Sequence, residues 1–506
     1  MKKIILYSII SITLIIFSSC KGWLESDPGD GLTLQDYWKS KEQVNDAVIG
    51  CYSSMIENDN FIWYLFLWGE LRSDLVLPGS RADNWIREAL QGLYTPRVEI
   101  CNWAMVYKTI NQCNTVLKFA KNALDYDKTL TISQLKSYEA EALGIRALMY
   151  FYLARVFGDV PVILEASVSD DQNYFVEKSP QIEVLKQVKA DLDTAEKYIV
   201  SSYGNEHRYD YDIGRITKYA IWAMQADLSL WIEDFTSCVK YCDYIINSKN
   251  YGLVEGEENT WFQKLFYDGN SNEGIFELQY DNIKRNETFY RYFAPGTNQK
   301  LVASSSIING YFASDPNDPT KVDIRGDGGA FNLNNMAIWK YIGGPTKGTV
   351  KPVTEASSNW IFYRYADILL MKAEALNEMG GNYKEVFNCI KEIRQRAKVE
   401  DLITTSFIGD SSNTEQVANY ILNERARELA YEGKRWFDLL RYAKRNNYNQ
   451  GSRFNIMINT VTTYIPSTNI ETIRNRYRDT RSHYLPIYYN ELQRNYKLKQ
   501  NPFYEY

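Results

Sequence analysis

Residues Leu135–Phe157 carry apolar or small side chains on two adjoining helical stripes, at 142, 145, 149, 152 and 156 and again at 143, 147, 150, 154 and 157. One stripe marks a helix lying on a core; two adjoining stripes predict a helix buried around most of its circumference, which requires further helices on several sides. The stop is encoded as well, with Gly158 as the C′ residue and Pro161 just beyond. Two helix pairs follow the same plan, Gly214–Trp231 with Phe235–Ser248 and Tyr363–Met379 with Tyr383–Ala397, the second split by Gly380-Gly381-Asn382. Small residues such as Ala220, Ala223, Ala373 and Ala375 stand where paired helices must approach closely. These pairs predict a mainly α, tetratricopeptide-like scaffold whose repeats of ~34 residues are interrupted by long insertions. Further helices are expected from about Glu42 to Ile56 and from Trp103 to Ala123, with residues 23–40 loop-like.

Between about Tyr251 and Trp360 the pattern changes. Gly, Asn, Asp, Ser and Pro cluster in Ala294-Pro295-Gly296-Thr297-Asn298, Asp315-Pro316-Asn317-Asp318-Pro319 and Gly326-Asp327-Gly328-Gly329, with only short strand-like runs such as Ile275–Tyr280. Long irregular segments inside a folded protein are often functional. The expected organisation is a helical scaffold over about 42–250 and 361–506 with a loop-rich lobe over about 251–360, all within one domain, 20–506.

The first residues add a location. Lys2 and Lys3 precede an apolar or small run, Ile4–Phe17, and then Ser18-Ser19-Cys20, the layout of a secretory signal peptide over 1–19. The run is shorter than the ~20 residues a spanning helix needs. Its end resembles the bacterial lipobox, which implies that Cys20 is acylated and becomes the mature N-terminus, a lipid anchor for a chain otherwise in water.

Composition narrows the chemistry. The net charge is −6 with no basic run, so the chain has no electrostatic reason to hold phosphate backbones, and nucleic acid is not an expected partner. The cysteines after Cys20 are few and scattered, unlike a disulfide scaffold. Cys238 and Cys242, four apart on an expected helix, read as core-facing residues rather than a redox or metal pair. The two histidines, His207 and His483, lie far apart in sequence and make a poor supply for a zinc site or acid–base machinery. No metal or cofactor is expected.

Several segments, taken in order, are similar to the SusD/RagB family of nutrient-binding lipoproteins. After Cys20 comes Trp23-Leu24, and the buried helix reads Glu141-Ala142-Leu143-Gly144-Ile145-Arg146-Ala147-Leu148-Met149-Tyr150-Phe151-Tyr152-Leu153 before Phe157-Gly158-Asp159-Val160-Pro161. Gly214-Arg215-Ile216-Thr217-Lys218-Tyr219-Ala220 and Arg364-Tyr365-Ala366-Asp367-Ile368-Leu369-Leu370-Met371-Lys372-Ala373-Glu374-Ala375 follow. Glu424-Arg425, the run Glu428 to Leu439 with Glu432-Gly433-Lys434-Arg435-Trp436-Phe437-Asp438, and the tail Gln500-Asn501-Pro502 complete the series. The resemblance covers essentially the whole mature chain. It implies a surface lipoprotein of the outer membrane that sits like a lid on a SusC-like TonB-dependent transporter and delivers oligosaccharides or, in some members, peptides.

The charges inside these motifs read as architecture. Glu424, Glu428 and Glu432 are spaced four apart and repel unless cations intervene, with Arg425, Arg435, Arg364 and Arg396 as the natural partners. A glycosidase would instead use two acids ~5–10 Å apart across a sugar; a buried ion network is the expected reading, and no catalysis is expected. An adhesin built on the same scaffold would bind no small ligand at all.

Ligand contacts are expected from aromatic rings in loop-like segments beside fixed polar groups, because a ring's flat apolar face and polar edge suit the two sides of a sugar. Forty tyrosines accompany 12 tryptophans, though many, such as Tyr150, Tyr152, Trp222 and Trp436, fall at core spacing. Leu71–Arg97 offers Asp74, Arg81, Asn84, Trp85, Arg87 and Tyr94, and the insertion offers Tyr290, Tyr292, Phe293 and Trp339.

Overall fold

The computed structural model describes residues 37–169, 171–204, 208–313, 322–399 and 410–505. The signal peptide, Cys20, Trp23-Leu24 and His207 lie outside the described residues.

The scaffold is a chain of packed helices: α1 Lys41–Glu57, α2 Asn60–Glu70, α3 Ala104–Phe119, α4 Ile132–Phe157, α5 Gln181–Tyr198, α6 Lys218–Trp231, α7 Phe235–Ser248, α8 Tyr365–Met379, α9 Tyr383–Arg396, α10 Thr414–Glu428 and α11 Arg435–Lys444. Each of α4/α5, α6/α7 and α8/α9 is a packed pair, and the pairs join side by side through α5 against α6 and α7 against α8. No helix among the described residues is long and apolar enough to cross a membrane.

Local signals explain the helix ends. Helix α4 starts three residues before Leu135, because Thr131 and Gln134 close a capping box there, and it ends at Gly158 with φ +75°. From Ala140 to its end it is buried almost continuously. Gly144 lets α4 pack tightly there: a Cβ would lie 2.9 Å from the Ile221 Cδ1 and 3.0 Å from Ile216, so those side chains would have to shift. Helix α6 begins at Lys218 rather than Gly214, because Thr217 caps it and Arg208–Gly214 forms a separate short helix. Cys238 and Cys242 are fully buried in α7, and burial pushes the Cys242 thiol well up, as packing residues require.

The insertion carries short strands and helices. Strand β1 (Val76–Pro78) pairs antiparallel with β3 (Leu301–Ala303), and β2 (Gly274–Leu278) pairs with β6 (Trp360–Arg364). The second pairing corrects an expectation, since Tyr363 and Arg364 belong to β6 and α8 starts at Tyr365.

Arg364 is the hub of a buried ion network. Its guanidinium meets Glu273 at 2.6 Å, Glu428 at 2.6 Å and Glu432 at 2.8 Å. Arg325 bridges Glu424 at 2.8 Å and Glu428 at 2.9 Å, Arg396 also bonds Glu428, and Lys340 holds Glu432 at 2.6 Å. Two expected partners go elsewhere: Arg425 pairs with Asp367 and Asp438, and Arg435 with Asp74. Glu432 stands beyond the end of α10, where the chain turns at Leu429. Burial raises the Glu424 carboxyl, but Arg325, Arg394 and Arg427 overcome it and hold the group at about 2. Carboxylates held ionised and sealed from water cannot act as general acids.

Candidate functional site

The β1–β3 pairing joins the two candidate regions. It runs on past the strands, with Gly79 N–H donating to the Lys300 carbonyl at 2.8 Å and Arg81 N–H to Gln299 at 3.1 Å. Residues 81–87 are thereby held beside residues 290–300. Lys300 ties them further, its ammonium bonding Asp83 at 2.7 Å and lying 5.9 Å from the Tyr292 ring.

The loop expected around Trp85 is a short helix, Asn84–Ala89, which buries Ile86 and Ala89. Trp85 is half-buried at its edge, and Arg81, Asn84 and Arg87 are exposed. Tyr290 and Tyr292, both half-buried, stand on a second short helix, Glu287–Phe293.

Four sequence candidates belong to the interior. Phe293 is fully buried, its ring 5.1 Å from Phe66. Trp339 follows strand β5 (Ala337–Ile338), which pairs with β4 (Phe331–Asn332) and turns the indole inward to 1 % exposure. Tyr94 is buried beneath the Arg72 guanidinium. Asp74 is buried, paired with Arg435 at 3.0 Å and accepting from the Tyr311 hydroxyl at 2.6 Å. These four have no open face for a ligand, which leaves Arg81, Asn84, Trp85, Arg87, Tyr290 and Tyr292.

Tyr292 also walls an open cavity of about 650 Å³, bounded by the α1–α2 turn, by Lys108 of α3 and by Thr288 and Arg291. Its ring is backed by Trp63, 4.7 Å away between centroids and tilted by 53°. The turn contributes Glu57, Asn58, Asp59 and Asn60. Lys108 bonds Glu57 at 2.6 Å and Lys284 bonds Asp59 at 2.8 Å. Alternating donors and acceptors beside an aromatic ring can bind a polyhydroxylated ring by its rim and its apolar face. Sequence reasoning missed this turn. Its signal was Asn58-Asp59-Asn60 immediately before the apolar run Phe61–Trp68.

His483 is fully buried, with Nε2 donating to the Tyr477 carbonyl at 2.9 Å and Nδ1 accepting from the Tyr448 hydroxyl at 2.9 Å. Burial lowers its pKa to about 4. A histidine with a depressed folded pKa stabilises the fold fully above ~6.5, and that contribution is lost as pH falls from ~6.5 to about 4. NMR titration of the ring is expected to show it neutral at pH 5; an inflection near 6.5 would contradict the burial argument. Among the described residues no group of three or more His, Cys, Asp or Glu is placed to hold a metal ion.

Comparison with known proteins agrees with this architecture. Residues 284–504 match the SusD family model, and residues 23–230 match a model described as starch-binding associating with outer membrane. SusD-like protein P38 of Formosa agariphila is 26% identical over 487 residues, 88% of this chain and 92% of the relative. SusD-like protein P2 of the same organism is 26% identical over 496 residues, 87% of this chain and 91% of its own. The fold is shared with a SusD homolog from Bacteroides thetaiotaomicron, with a TM-score of 0.73 at 17% identity over 93% of this chain and 98% of that one. A SusD superfamily protein from Bacteroides vulgatus gives 0.71 at 20% identity over 92% and 100%. Two family models that between them take in both the helical scaffold and the insertion, and relatives matched nearly end to end, make the chain a member of the SusD/RagB family.

Proposed function

We propose that the protein captures oligosaccharide or polysaccharide at the bacterial surface, on the face formed by the Tyr292 cavity and the Trp85 helix, and delivers it to a TonB-dependent outer-membrane transporter. The observation that carries this reading is the cavity itself, a polar space of about 650 Å³ walled by one backed aromatic ring. A second cleft, about 380 Å³ between α3 and residues 491–498, is less suited to hydroxyls. Its amides are already spent on the chain, Asn111 on Ser167, Asn114 on Ile163 and Asn495 on Val176. Binding without turnover is supported by the neutralised state of the acidic network, in which Glu424, Glu428 and Glu432 all have cations at bonding distance. Attachment through an acylated Cys20 completes the reading.

Two measurements test it. Titration of the purified protein against soluble polysaccharides and peptides is expected to give saturable binding to a glycan, with no new reducing ends on prolonged incubation. Affinity purification of the tagged lipoprotein from mild-detergent extracts is expected to bring down an outer-membrane barrel, since tethering both proteins to one membrane raises their effective concentration. Recovery of the lipoprotein alone, with the barrel left in the extract, would rule out the delivery role.

A further inference from the structure

Most arginines whose side chains are described meet a carboxylate, and most of the others lie over an aromatic ring. Those with described side chains have a carboxylate within 4.0 Å or an aromatic ring under the guanidinium, from Arg146 on Asp191 at 2.7 Å to Arg494 near Glu491 at 3.8 Å and Arg97 over Tyr489 at 5.0 Å. Arg81 and Arg87 are the exceptions among them. Both are exposed, and neither guanidinium meets a carboxylate or a ring among the described residues. Arg87 folds back to bond the Gly79 carbonyl at 3.1 Å, which brings its charge to the turn whose backbone carries Arg81, two residues on. The nearby acids do not relieve them. Asp83 is taken by Lys300 at 2.7 Å, and Glu88, next to Arg87, points about 100° away around the helix. A folded chain with a net charge of −6 has carboxylates to spare, yet leaves these two cations uncompensated.

We propose that Arg81 and Arg87 read negative charge on the ligand, so that the captured glycan is an acidic polysaccharide bearing carboxylate or sulfate groups. This rests on the glycan-binding reading above and specifies its substrate class. Guanidinium forks bind carboxylate and sulfate oxygens in pairs, about twice as strongly as neutral hydroxyls. Lys300, at the junction of the two candidate regions, is spent on Asp83, so the uncompensated charge on this face is that of the two arginines. The ring of Trp85 or Tyr292 supplies stacking, and the arginines supply selection.

The test compares matched polymers that differ only in charge: polygalacturonate against its methyl ester, and dextran sulfate against dextran, by calorimetry at low salt. The acidic member of at least one pair is expected to bind about tenfold tighter or more, with the preference falling as salt rises. Arg81→Gln with Arg87→Gln is expected to abolish the preference with thermal stability unchanged, while Arg494→Gln, an exposed cation elsewhere, keeps it. Equal affinity for charged and uncharged members would overturn the inference and leave glycan capture standing. Binding of polyglutamate but of no polysaccharide would overturn both, and so would binding of no polymer. A preference that survives the double substitution would overturn the assignment to these two residues.

Discussion

Arg364→Met is expected to destabilise the protein by about 3–5 kcal/mol, the usual cost of removing one partner from a buried ion pair. The guanidinium is fully buried and makes bonds to Glu273, Glu428 and Glu432 as well as to the Glu428 carbonyl. Without it, three carboxylates from the turn before β2, from α10 and from the turn after α10 share the remaining cations, and methionine offers none of them a donor. Urea unfolding at pH 7 measures the loss, and a shift under about 1 kcal/mol would mean that Arg325, Arg396 and Lys340 suffice. The pH dependence has a definite sign. Burial opposes ionisation of Glu428, yet Arg396, Arg364 and Arg325 hold its pKa well below the usual carboxylate range. A depressed folded pKa contributes stability above ~4.5 that is lost as pH falls through the folded value. In the variant Glu428 loses one of the cations that hold it ionised and protonates sooner, so the gap between wild type and Arg364→Met is expected to narrow as pH drops from 7 toward 3.

The sequence made the helices legible wherever local chemistry decides. Helix α7 runs over the expected Phe235–Ser248, and α4 stops at Gly158 as its glycine requires. Legibility ended where a distant segment decides. Arg364 lies in a motif that reads as helix, yet it closes a strand because Gly274–Leu278 pairs with Trp360–Arg364. The same holds for the ligand face. Nothing in residues 81–87 announces that they lie beside Tyr292; the β1–β3 register does that, across more than two hundred residues of chain. Ring orientation was equally hidden. Tyr292 and Phe293 are neighbours in sequence, but a helix turns one toward Trp63 and the cavity and the other into the core against Phe66. Trp339 and Tyr94 shared the composition of a binding loop, and only their packing shows that they cover the interior.

Tyr292→Ala and Trp85→Ala are each expected to weaken glycan binding by about 2 kcal/mol or more, roughly 30-fold, the typical loss of a central aromatic anchor. The larger loss is expected at Tyr292, because its ring is rigidly backed by Trp63 and borders both the cavity and Lys300. Trp85 sits at the rim of its short helix with one side already packed on the core, so less of its surface is free to stack. The same backing makes Tyr292→Ala open space beside Trp63, and part of its effect will appear as lower thermal stability. Tyr292→Leu separates the two contributions. Leucine refills most of that space but presents no flat face, so affinity is expected to fall with Tyr292→Leu while the unfolding temperature returns close to wild type. If Tyr292→Leu binds as tightly as the unaltered protein, the ring is only packing. If Trp85→Ala then proves the costlier change, the stacking platform belongs to the helix that carries Arg87 instead of to the cavity wall.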